Sequence, residues 1–221
     1  MSLTAQNIID RSSMIIQDLT NVRWPTTELT NWLNDCRREL AVVRPDIYSM
    51  MAAQALSAGA KQALPSGGLR LMDVPRNTSG PAITVTQRGF LDQQNPSWHQ
   101  MASSNTIKHF MTDERNPSTF WVYPPASSGA SVDLVYQSAP VDYSTTSTLS
   151  AYEELYGGAM VDYICYRAFS KDSEYAGNAD RAIAHYNQFL NSLKTGGTVS
   201  VAVSPNVQNV GGTKQAGNPQ G

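Results

Sequence analysis

The residues of this chain with the types to do chemistry are three histidines, two cysteines and a few acidic pairs, and their spacing argues against a reaction. His99, His109 and His185 fall in three separate segments, with no HxH or HxxxH spacing that would give a metal ion two ligands from one element. Each reads as a structural or exposed residue. Glu153 and Glu154 are adjacent and cannot share one helix face, so they read as a solvated helix start. Asp113 and Glu114 lie in the stretch TDERNP, where turn chemistry accounts for acidic side chains. Cys36 and Cys165 each lie on the apolar side of a predicted helix and read as buried free thiols; a disulfide between them is allowed but not demanded, and two cysteines make no zinc set. No GxSxG, Gly-rich phosphate loop or CxxC is present. The expectation is no enzyme, with no metal or cofactor implied.

Two further groups have recognition chemistry. Phe120 to Pro125, FWVYPP, is dense in aromatics. It could stack on a sugar or a base, and with Trp98, Trp121 and Tyr123 exposed together it would make a ligand- or glycan-binding module. The favoured reading is a strand, with Phe120, Val122 and Pro124 on one face and Trp121 and Tyr123 on the other. Arg37 and Arg38 form a small basic spot, expected on an exposed helix face where it could meet another subunit.

The elements that must position these residues divide by texture. Residues 3–20 carry apolar positions at helical spacing, with Asn21 as terminator. A clearer helix follows Pro25: Leu29, Trp32, Leu33, Cys36, Leu40 and Val43 make one stripe, and Pro45 ends it. Seven short strands are expected between Gly and Pro residues, at 50–56, 61–64, 69–74, 82–86, 107–112, 119–123 and 131–137, with a helical turn at 88–94. After a polar linker, Ser150 and Glu153 form a capping-box pattern opening a helix to about residue 170. Gly157 and Gly158 in its first turns suggest close helix packing. A last helix follows with Ala182, Tyr186, Phe189 and Leu193 in its stripe, and Gly196 and Gly197 should stop it.

The fold class expected is therefore α+β. N-terminal helices (1–46) and C-terminal helices (141–194) would form a helical bundle, with a small antiparallel β-module (47–140) inserted and an extended arm (195–221) that is flexible or ordered by a partner. The 221 residues suffice for such a domain with an insertion. Net charge is −2 and charged residues are only 15% of the chain. A protein held by general phosphate attraction would show a basic excess, so this polar, uncharged surface suits protein contact. The start, MSLTAQNIIDRSS, lacks a basic region followed by an apolar run, and no stretch approaches 18 apolar residues. A cytosol-like compartment is expected until the protein joins an assembly.

The stretch RWPTTELTNWLNDCRRELAVVRPDIY resembles the N-terminal helices of the tailed-bacteriophage head-to-tail adaptor, or head-completion, family. Gln62, Leu64 and Pro65, then DERNPSTFWVYPP, continue the likeness, as does DYICYRAFSKDSEY followed by Asn178, Arg181, His185, Tyr186 and Phe189. Together they span about residues 5–193. The resemblance implies a structural virion protein at the head-tail interface, present in the host cytoplasm during assembly. It implies a closed, roughly twelve-fold ring built through heterologous contacts. It also implies the portal protein and a tail nozzle or tube protein as partners, with DNA passing through the lumen as genome only. By the same analogy residues 195–221 would dock into the portal, anchored by Val199, Val201 and Val207.

Overall fold

A computed structural model describes residues 2–175 and 177–202. In chain order the elements are α1 (Ala5–Ile15), α2 (Thr26–Val43), a 3-10 turn (Pro45–Tyr48), β1 (Ser49–Ala55), β2 (Gly59–Ala63), β3 (Gly68–Asn77), β4 (Thr84–Val85), α3 (Arg88–Gln94), a 3-10 turn (Trp98–Gln100), β5 (His109–Thr112), β6 (Thr119–Ala126), β7 (Ser131–Ser138), α4 (Ala151–Glu154), α5 (Gly157–Lys171) and α6 (Asn178–Ala202). The protein is α+β, with six α-helices among the described residues. It divides into two compact units. One joins the residues up to Arg44 with those from Asp142 on; the other is Pro45–Val141.

In the helical unit α5 is the hub, packing against α6, α2 and α1. The stripe expected on α2 is buried at Leu29, Trp32, Leu33, Cys36 and Leu40, while Val43 at its end is exposed. Tyr163 and Tyr166 of α5 meet Phe189 and Tyr186 of α6 ring to ring, at 5.2 and 4.7 Å between centroids. At Gly157 α5 passes close to the N-terminal segment. A Cβ there would lie 3.2 Å from the Leu3 side chain and 3.3 Å from that of Ile8, whereas one at Gly158 would meet nothing within 4 Å. The segment before α4, read in sequence as a polar linker, is stitched to the N-terminus. Ala5 N donates to Ser147 O (2.8 Å), Gln6 N to Thr145 O (3.0 Å) and Leu149 N to Leu3 O (2.9 Å).

The other unit holds two sheets, one ordered β1-β7-β3 and the other β2-β6-β5-β4. Their inner faces share one core. Phe110, Phe120 and Val122 of the second sheet meet Val74, Val132, Leu134 and Tyr136 of the first. All seven strands lie within a few residues of where turn signals and alternation place them, and α3 occupies the residues expected of it. Phe120 and Val122 face the shared core, and Trp121 and Tyr123 pack on the opposite side against Trp98 and Met111.

Several expectations need correcting. The module is mixed rather than antiparallel, because β4 runs parallel to β5. The first helix ends at Ile15, not near residue 20: the Asp18 carboxylate captures the amides of Val22, Arg23 and Trp24, which closes a turn in place of another helical turn. The helix expected from 150 to 170 is broken into α4 and α5, and Leu155 at the break is exposed. There the chain turns so that Tyr156 covers Arg44, whose guanidinium donates to the Tyr156 hydroxyl. Gly196 and Gly197 do not stop the last helix, which runs on to Ala202. Their low propensity costs about 1 kcal/mol each against Ala, which is too little by itself to end a helix of 25 residues. The next strong breaker in sequence is Pro205.

Candidate functional site

Arg37 is not on an exposed face. It is 4% exposed, and its Nε donates to Glu153 Oε1 at 2.7 Å. A guanidinium on this face of α2 is tolerated because a carboxylate and an aromatic ring enclose it: the Tyr143 ring lies 3.3 Å from its centre. Glu153 is not solvated either, being 1% exposed. Its Oε2 accepts from the Tyr143 hydroxyl (2.6 Å), from Ser150 N (3.1 Å) and from Ser150 Oγ (2.9 Å). The capping box read from the sequence is therefore formed, with its Glu turned inward to a second task. Asn34 completes the cluster by exchanging both amide hydrogen bonds with the Tyr143 backbone (3.0 and 2.8 Å). Burial raises the Glu153 carboxyl, but the Tyr143 hydroxyl and the Arg37 guanidinium overcome it and hold the group below the usual glutamate range. Tyr143 itself is pushed up to about 12 by burial and by its bond to that carboxylate. This cluster clamps α2, the 142–150 segment and α4 together. Arg38 does face solvent, where it pairs with Asp35 and Asp142.

Beside this buried clamp the helical unit presents a braced apolar turn. Gln17 and Asn21 adopt φ of 58° and 52°. Asp18 accepts from the amides of Val22 (3.0 Å), Arg23 (2.9 Å) and Trp24 (2.8 Å), and Ser13 Oγ donates to Asn21 Oδ1 (2.7 Å). Met14, Leu19 and Val22 stand out from it at 65, 72 and 82% exposure. A fixed backbone that exposes large apolar side chains has the anatomy of a contact surface. The sequence signal that could have found it is the Asp following α1, set before a run of amides that need an acceptor.

In the β-unit, Trp98 is fully buried, and its indole N–H donates to Asp92 Oδ1 at 2.8 Å. Trp121 and Tyr123 are half-buried against it. The three aromatics therefore form no exposed stacking platform. A cavity of about 510 Å³ opens elsewhere in this unit, lined by Leu71, Met72, Val85 and Phe110, with Asp113 and Glu114 at its rim. The histidines stay apart: His109 Nδ1 meets Thr84 Oγ1 (2.7 Å), His99 stacks on Trp98, and in the helical unit His185 Nδ1 meets Asp162 Oδ1 (2.8 Å).

The four sheet edges are unequal. β3 is broken by three register shifts, β2 carries Lys61 and a shift, and β4 is two residues long. β1 pairs with β7 over seven consecutive residues without a shift, and it contains no charge and no proline. Met50 and Met51 on it are exposed. Of the residues expected to anchor the C-terminal arm, Val199 and Val201 fall within α6, and Val207 lies outside the described residues.

The model of the SU10 adaptor protein family matches residues 3–208. No curated protein matches the chain.

Proposed function

The chain belongs to the SU10 adaptor protein family and is a structural protein of bacteriophages, and from that premise we propose that its copies form a closed ring joining the portal to the tail. The observation that carries this reading is the extent of the family match, which runs through both units. A closed ring needs two different, complementary surfaces on each copy. The braced Met14–Val22 turn and the open β1 edge are two unlike exposed surfaces that contacts between copies can use. The helices act as a bundle that forms the ring wall, roughly twelve copies around by analogy with other closed head-tail rings. Portal protein lies on one side and a tail nozzle or tube protein on the other. The near-neutral chain, net −2, suits a lumen past which DNA must slide without sticking. The chain beyond residue 195 is the arm whose far end reaches the portal.

Gold-labelled antibody against this protein, applied to purified virions of its phage with tails detached and intact, tests the location. Label at the neck, exposed by tail removal, is expected. Label on the capsid face or along the tail shaft would contradict the reading.

A further inference from the structure

Three of the four sheet edges carry a device that blocks strand pairing, and the fourth does not. On β1 the phase of the hydrogen bonds is set by Leu56 N, which donates to Ala130 O at 2.8 Å. In an antiparallel pair such bonding alternates. Gln54, Ala52 and Met50 therefore bond to β7, and Ser49, Met51, Ala53 and Ala55 turn their backbone N–H and C=O outward. Met51 is 61% exposed. Both flanks of this edge are uncharged: Met50, Ala52 and Gln54 on one, Met51, Ala53 and Ala55 on the other. An incoming strand should then be uncharged, β-branched at alternate positions and about as long as β1, which has seven residues.

One stretch of this chain has that pattern. Thr198–Ser204 reads TVSVAVS, with valine at 199, 201 and 203 alternating with Ser200, Ala202 and Ser204. That period of two is a strand period, and valine and threonine are among the weaker helix formers. In the single chain residues 198–202 complete α6. Gly196 and Gly197 immediately before them give the chain a point at which to leave the helix.

We infer that residues 198–204 of one copy add as a strand to the open β1 edge of a second copy. The contact is heterologous, edge on one copy and tail on the next, so it propagates around a ring rather than closing a pair. It assigns Val199 and Val201 to the neighbouring copy and leaves the chain from Pro205 on, with Val207, to reach the portal. The inference rests on the ring proposed above.

The test is hydrogen exchange by mass spectrometry on the peptide covering 49–56, comparing the chain alone with the chain assembled on portal rings. The expected result is three further protected amides, Met51, Ala53 and Ala55, in the assembly. That protection should be lost in Val199→Lys/Val201→Lys. Mixing this variant with the edge-blocked Ala53→Lys, which keeps the β7 pairing, should restore a one-to-one contact between copies that neither variant makes with itself. Assembly with the β1 peptide still exchanging freely would overturn this inference and leave the ring standing. Protection that survives the valine substitutions would hand the edge to a portal strand and overturn it too. Failure to assemble at all would overturn the ring and this contact together.

Discussion

Replacing Glu153 with leucine keeps the approximate volume of the side chain and removes the acceptor for four donors: Arg37 Nε, the Tyr143 hydroxyl, Ser150 N and Ser150 Oγ. Arg37, with a side chain 5% exposed, would then hold an uncompensated charge in the interior of the helical unit. Breaking a buried ion pair by deleting one partner costs about 3–5 kcal/mol. The Tyr143 hydroxyl and the Ser150 amide lose their bonds as well, adding about 1 kcal/mol, since Ser150 Oγ still caps the residue 153 amide. A loss of about 5 kcal/mol corresponds to a fall of roughly 10–20 °C in the midpoint for a chain of this size. Thermal unfolding followed by circular dichroism at 222 nm reads it out on the helices. The companion variant Arg37→Met/Glu153→Leu should recover most of the loss, because an apolar pair replaces an ionic one at little net cost. A single variant within about 1 kcal/mol of the parent, or a double variant that loses the sum of both singles, would refute the reasoning. The sign of the pH dependence follows. The folded carboxyl is held below its unfolded value, so the pair's contribution is complete above the ordinary glutamate pKa, about 4.3, and is lost as pH falls through the lower folded value. In Glu153→Leu that part of the acid profile should flatten.

Other outcomes follow from the same geometry. Gly158→Ala adds a methyl to open space on α5 and should stabilise by about 0.5–1 kcal/mol, whereas Gly157→Val presses on Leu3 and Ile8 and should cost about 1–3 kcal/mol; urea midpoints distinguish them. Asp18→Ala hands the amides of Val22, Arg23 and Trp24 to water and should lose about 1 kcal/mol while raising proteolytic nicking between residues 16 and 24. Burial pushes the Cys36 thiol well up and Cys165 up to about 12, so neither should react with a thiol reagent at pH 8 until denaturant releases both. Phe120→Ala empties the shared core of the two sheets and should cost about 3–5 kcal/mol in the β-unit, seen in its tryptophan signal.

The strands of the β-unit were legible because each is bracketed by Gly or Pro and because β7 alternates its apolar positions. α2 was legible from its unbroken stripe and the prolines at its ends. The course of the 142–150 segment was not, since the bonds that bind it to Leu3, Ala5 and Gln6 are long-range and backbone in origin. Arg37 and Glu153 look like surface charges to any one-dimensional rule. Only their convergence on Tyr143 across more than a hundred residues of sequence makes burial tolerable. Local propensity placed a stop at Gly196 and Gly197, yet two glycines without a left-handed cap do not end a helix. Arg38 lies on the solvent side of α2, and the Met14–Val22 turn went unseen because helical spacing runs on to residue 20 and hides the end of α1 at Ile15.

The central claim is that this protein adds to a portal ring. Mass photometry of portal rings from the same phage, before and after mixing with the full chain, tests it directly. A discrete increment close to one 24.1 kDa copy per portal subunit is the predicted result. No increment at micromolar protein would contradict the claim.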